Sequence, residues 1–145
     1  MAASITFYNN WKAAIAEVVP RTATFKVTLH SSTYTFAATH NVYADLTNEL
    51  STANGYTNGG LTLTSVTWGQ TSGTATFDAA DAVWTASGGS IVARRAVIRA
   101  IGTFNSQVDP LVASVLLDTT PADVTTTTGN TLTLVWNASG IFTLA

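Results

Sequence analysis

Cysteine is absent, so the chain has no disulfide and offers no thiolate to a metal. Charge is scarce as well: Asp, Glu, Lys and Arg make up 10% of the residues, against roughly 25% in ordinary soluble domains. A formal net charge of -2 gives no strong pull toward nucleic acid or an anionic membrane, and neither is expected as a partner. No apolar run reaches the roughly 18 residues that a spanning helix needs. The first residues lack a basic stretch followed by an apolar one, so no signal peptide is expected and synthesis is placed in the cytoplasm.

Against these absences stands a hydrophobic content of 46%. A chain this apolar and this weakly charged is poorly suited to life as a free monomer, which points to burial against other chains. Thr is the commonest residue, and Thr, Val and the aromatics fit pleated strands. At 145 residues, one domain spanning 1–145 is expected.

"NNWKAAIAEVVP" predicts a helix over about 10–19. Trp11, Ile15, Val18 and Val19 fall on one face, an Asn caps the start and Pro20 stops it. So short a helix must dock its Trp11 face, on its own sheet or on a neighbouring subunit. "ATFKVTLH" alternates Phe25, Val27 and Leu29 with Lys26, Thr28 and His30, a half-buried strand. "VYADLTNEL" has Val42, Leu46, Glu49 and Leu50 at helical spacing and predicts a second short helix. "LTLTSVTWG" switches faces, which predicts a bulge near Thr64–Ser65 or two burial zones. "GTATF", "AVWTA", "SIVARRAVIRAIG", "LVASVLLD", "TLTLVWN" and "GIFTL" read as further strands; "NSQVDP" reads as a turn and "TTPADVTTTTGN" as a turn plus an extended linker. The expected fold is mainly β: an antiparallel β-sandwich or jelly-roll-like barrel with one or two short helices.

Catalytic signatures are missing. The chain has two histidines, His30 and His40, but no nucleophile elbow to go with them. Those histidines with Asp45 lack the helical spacing of a metal site. In "FDAADAVWTASGG", Asp78 and Asp81 could be an acid pair, a metal loop or turn caps. The run lacks the alternating oxygen ligands of a calcium loop, and capping is the favoured reading. Arg94, Arg95 and Arg99 supply half of the six cations, with Arg95 and Arg99 on one strand face, and suit ion pairs at an interface. Trp11 and Trp84 join them as candidate interface residues, with Trp84 destined for the core or a subunit contact. "NAS" at 137–139 matches a glycosylation sequon, of consequence only in a secretory pathway.

Three ordered segments carry a resemblance: "YADLTNELSTANGYTNGGLTLTSVTW", "GTATFDAADAVWTASGGSIVARRAVIRA" and "TLTLVWNASGIFTLA". Together they resemble a recurring class of small virion proteins of tailed bacteriophages, over roughly residues 42–145. Tyr43, Asp45, Leu46, Thr47, Asn48, Glu49, Gly55, Tyr56, Gly59 and Gly60 match the first motif. Phe77, Asp78, Asp81, Trp84, Arg94, Ala96, Val97 and Ile98 match the second; Trp136, Gly140, Ile141 and Phe142 match the third. The class commonly has an aromatic after the first Arg, where this chain has Arg95. The resemblance implies a head decoration or cement protein on the capsid surface, with the major capsid protein and further copies of itself, as a trimer, for partners. It implies no enzymatic activity, no cofactor and no metal. Two rival readings remain. One is a head-fibre or tail component binding host-surface glycans, with Trp68, Tyr34 or Tyr56 stacking on sugars. The other is a cellular carbohydrate-binding sandwich or small enzyme.

Overall fold

A computed structural model describes residues 4–8 and 22–144. The helix expected over about 10–19, with Trp11, lies outside the described residues.

The largest sheet is antiparallel and five-stranded, in the order β1 (Ser4–Phe7), β11 (Leu111–Leu116), β8 (Arg95–Ile101), β2 (Thr24–His30), β3 (Leu61–Thr62). A second sheet holds β4 (Thr67–Thr71), β5 (Thr74–Asp78) and β14 (Phe142–Leu144). Two-stranded ladders pair β6 (Ala82–Thr85) with β13 (Thr131–Leu134), β7 (Ile91–Ala93) with β12 (Val124–Thr126), and β9 (Thr103–Phe104) with β10 (Gln107–Val108). The architecture is mainly β and sandwich-like; the sheets do not close into a barrel, so that alternative falls.

Register shows how the layers meet. Phe25, Val27 and Leu29 of β2 lie opposite Ala100, Ile98 and Ala96 of β8, all buried on one face. That face packs on the second sheet through aromatic contacts. Phe25 meets Phe77 edge-on at 4.9 Å, and Phe7 meets Phe142 at 4.9 Å. Phe77 in turn stacks on Phe142 at 5.1 Å and touches Trp68 at 4.7 Å. Such pairs add to the burial of their area, by about 0.5–1.5 kcal/mol each. In β11 the register shifts between Leu111 and Ala113, a bulge that lets Val112 be buried as well.

Two expectations change. β2 is not half-buried: Thr28 and His30, on its second face, are 0% exposed. The irregular 31–60 segment folds over that face. The helix expected at "VYADLTNEL" reduces to a 3-10 turn, Tyr43–Asp45, the only helical piece among the described residues. Leu46 is already extended (φ -77°, ψ 142°) and Asn48 has φ 55°. Glu49 instead forms a bridge with His30, and the Leu50 N–H donates to the Leu29 carbonyl. Pairing with the open edge of β2 outweighs a weak helical pattern.

The face switch in "LTLTSVTWG" marks two burial zones. Ser65, at φ 53°, breaks the segment, sending β3 to the first sheet and β4 to the second. The "NSQVDP" turn region holds the β9–β10 hairpin, whose Asn105 and Ser106 (φ 46° and 62°) form the left-handed turn that matches strand twist. The extended stretch in "TTPADVTTTTGN" pairs as β12.

Candidate functional site

Beneath the 31–60 segment lies a polar cluster assembled from distant residues. Glu49 is its hub. Its carboxylate accepts the Tyr43 hydroxyl at 2.5 Å, the Tyr56 hydroxyl at 2.5 Å and the Gly59 N–H at 2.7 Å. The Tyr56 hydroxyl also accepts the Leu29 N–H at 3.1 Å, tying the cluster to β2. Arg99, 5% exposed, reaches in from β8. It donates to Asp109 at 2.6 Å and to the Gly59 carbonyl at 3.0 Å, with its guanidinium 3.6 Å over the Tyr43 ring. Among the described residues its Nε has no hydrogen-bond partner. Asp109 sits at φ 50°, held there by the Gly102 N–H on its other oxygen at 2.8 Å. Burial, then the Glu49 carboxylate, pushes the Tyr43 hydroxyl up to about 12. The Tyr56 hydroxyl is raised further for the same reasons.

A second group adjoins it. The His30 Nδ1 lies 2.9 Å from the Thr47 carbonyl, which can only accept, so Nδ1 carries the proton. In the neutral ring Nε2 is then an acceptor 2.9 Å from the Thr28 hydroxyl, whose one proton is shared between it and the Val97 carbonyl at 3.3 Å. Burial holds the His30 pKa below its ordinary value, opposed by the Thr47 contact and Glu49. The Tyr34 ring packs on His30 at 4.8 Å, and its hydroxyl meets that of Tyr8 at 2.9 Å. Arg95 donates to Ser114 at 3.3 Å and lies 5.6 Å over the Phe36 ring.

The candidate residues therefore separate. Arg99 is spent within the chain. Arg94 makes a partly exposed ion pair with Asp123 at 2.8 Å, and Arg95 is half-buried. Trp84 is 5% exposed and belongs to the core. Asp78 accepts the N–H of Ala79 at 2.9 Å, a local contact of the expected kind. Asp81 departs from expectation: it accepts the Trp136 N–H at 2.9 Å rather than capping its own turn. The Trp136 indole N–H donates back to the Ala80 carbonyl at 3.1 Å. This two-way clasp joins segments 55 residues apart. Among the described residues no group of three His, Asp or Glu stands close enough to hold a metal ion. Asp45 is turned to the Asn41 and Val42 N–H groups, which lower its pKa.

Of the aromatics considered for sugar stacking, two are closed off from solvent and one is partly so. Tyr34 and Tyr56 are 4% and 2% exposed, and Trp68 is half-buried against Phe77. Among the described residues the exposed large apolar side chains are instead valines: Val83, Val92, Val108 and Val135. No protein-family model, no curated protein and no solved structure matches the chain.

Proposed function

We propose that the chain is a structural protein of a tailed-bacteriophage virion: a decoration protein that binds the shell of major capsid protein, in homo-oligomeric form, and stabilises it. One observation carries the reading, the ordered likeness of three long segments over 42–145 to that class. The way those segments interlock supports it. Glu49 of the first binds Tyr56 and Gly59 of the same segment, and the Gly59 carbonyl accepts Arg99, at the end of the second. Asp81 of the second clasps Trp136 of the third, and Phe77 stacks on Phe142. The landmark residues thus hold one framework together, as expected where the shared motifs specify a shape rather than a reaction.

The energetics fit such a role. A protein that binds only the assembled shell stabilises it by mass action, and repeated contacts multiply a modest affinity. The test is co-sedimentation of purified protein with expanded heads that lack it. Saturable binding, with heads that resist heat better once loaded, is the expected result. Heads that never take up the protein overturn the proposal.

A further inference from the structure

The β9–β10 hairpin turns through Asn105 and Ser106, both exposed and both in the left-handed region, at φ 46° and 62°. Each strand contributes only two residues, Thr103–Phe104 and Gln107–Val108, so the ladder opens at little cost. What sets this turn apart is what its polar groups lack. Among the described residues, Asn105 is the only Asn whose carboxamide and following N–H are both without a hydrogen-bond partner.

The other six described Asn residues show the contrast. The Asn48 carboxamide donates to the Thr33 carbonyl at 3.2 Å, that of Asn130 donates to the Thr127 hydroxyl at 2.9 Å, and the Asn137 Oδ1 accepts the Ser139 N–H at 2.8 Å. After Asn41, the Val42 N–H is bound to Asp45 at 3.0 Å. The two Asn-Gly pairs are held at more points. The Asn58 Nδ2 donates to the Leu50 carbonyl at 3.2 Å, and the Gly59 N–H donates to Glu49 at 2.7 Å. The Asn54 Nδ2 donates to the Ser90 carbonyl at 2.9 Å, and its own carbonyl accepts the Ser87 N–H at 3.1 Å. Ala53 and Tyr56 close that turn with two backbone bonds, at 3.0 and 2.9 Å.

These contacts matter because the amide nitrogen after an Asn can attack the side-chain Cγ, an intramolecular step that needs only the two groups to meet. The nitrogen–Cγ bond forms as the Cγ–Nδ2 bond breaks. The carboxamide nitrogen leaves as ammonia, taking the amide proton with it. Water then opens the succinimide ring at either carbonyl and gives Asp or isoaspartate. A bonded carboxamide or N–H must first be released, and breaking one hydrogen bond to a charged group slows the step by about tenfold or more. Sequence alone points to Asn54 and Asn58, since glycine has no Cβ to crowd the attacking nitrogen. The hydrogen bonds reverse that order.

We propose that Asn105 is the site at which the folded protein undergoes spontaneous deamidation, through a succinimide formed with the Ser106 nitrogen. Isoaspartate adds a methylene to the backbone of the turn. That breaks the Phe104–Gln107 and Thr103–Val108 register and reaches Asp109, the partner of Arg99. The inference is independent of the virion reading.

Peptide mapping by mass spectrometry, after incubation of the full chain in neutral buffer, tests it. Chymotryptic peptides resolve the sites, since Tyr56 stands between Asn54 and Asn58 and Phe104 precedes Asn105. In the folded protein Asn105 should convert first, with Asn58 slower by about tenfold or more than in urea, where its bonds to Leu50 and Glu49 are gone. In urea the order should reverse, Asn54 and Asn58 overtaking Asn105. The variant Asn105→Gln, whose longer side chain closes a ring far less readily, should lose the first event and leave the other two rates unchanged. Conversion of Asn54 or Asn58 ahead of Asn105 in the folded chain overturns the inference. So does an Asn105 that stays intact, or an order that is the same with and without urea.

Discussion

Replacing Glu49 with Ala removes the acceptor of three donors at once. Tyr56 is 2% exposed, so its hydroxyl loses an acceptor that water cannot easily replace. Tyr43 and Gly59 are half-buried, and water takes over part of their loss. A hydrogen bond to a charged group contributes about 1.5–3 kcal/mol, and stranding a buried donor costs a similar amount. Counting the Tyr56 bond in full and the other two at a fraction gives a destabilisation of about 3 kcal/mol. Urea unfolding reads this as a lower midpoint with an unchanged slope. Tyr56→Phe should cost about 1–2 kcal/mol, since it also leaves the Leu29 N–H unmatched. The double variant should be less destabilised than the sum of the singles, by about 1 kcal/mol or more. A loss below about 1 kcal/mol for Glu49→Ala, or strict additivity with Tyr56→Phe, would refute the view of Glu49 as the hub.

Other expectations follow from the same contacts. Arg99→Met leaves Asp109 without its cation and should cost about 3 kcal/mol, while Arg94→Gln, at the more exposed pair, should cost under about 0.5 kcal/mol in the same assay. Because burial lowers the folded-state pKa of His30, the unfolded chain takes up a proton that the folded chain refuses. Stability should therefore be intact above about pH 6.5 and fall below it, and His30→Gln should flatten that part of the profile; equal slopes would count against the burial argument. The groups facing His30 are Tyr34, Glu49 and Arg95. Gly55→Ala should destabilise by at least about 2 kcal/mol, because φ is +88° and a Cβ would run into the Thr85 carbonyl. Gly88→Ala, at φ +79° in open space, should cost only about 1 kcal/mol, and similar losses at the two sites would deny the close approach.

The strands were legible wherever pattern is local. Phe25, Val27 and Leu29 alternate in plain view, and the face switch around Ser65 announced that the segment serves two zones. The cover over the second face of β2 was not legible, because the 31–60 segment has no period to read. Glu49 fell at a helical spacing with Val42 and Leu46, and only pairing with His30 across the sheet edge reveals its role. Arg99 looked like an interface cation. Its burial depends on Asp109 and the Gly59 carbonyl, which come from two other segments. Asp81 read as a turn cap because its partner, the Trp136 N–H, lies far along the chain. Side-chain partners of this kind are set by topology, and local sequence does not encode topology.

The proposed place on a capsid surface is the central claim. A reconstruction of the candidate phage particle, searched for this chain's copy number and position, tests it most directly. The proposal predicts many copies arrayed over the outside of the shell, each touching major capsid protein. A few copies confined to the tail, or none on the particle, would contradict it.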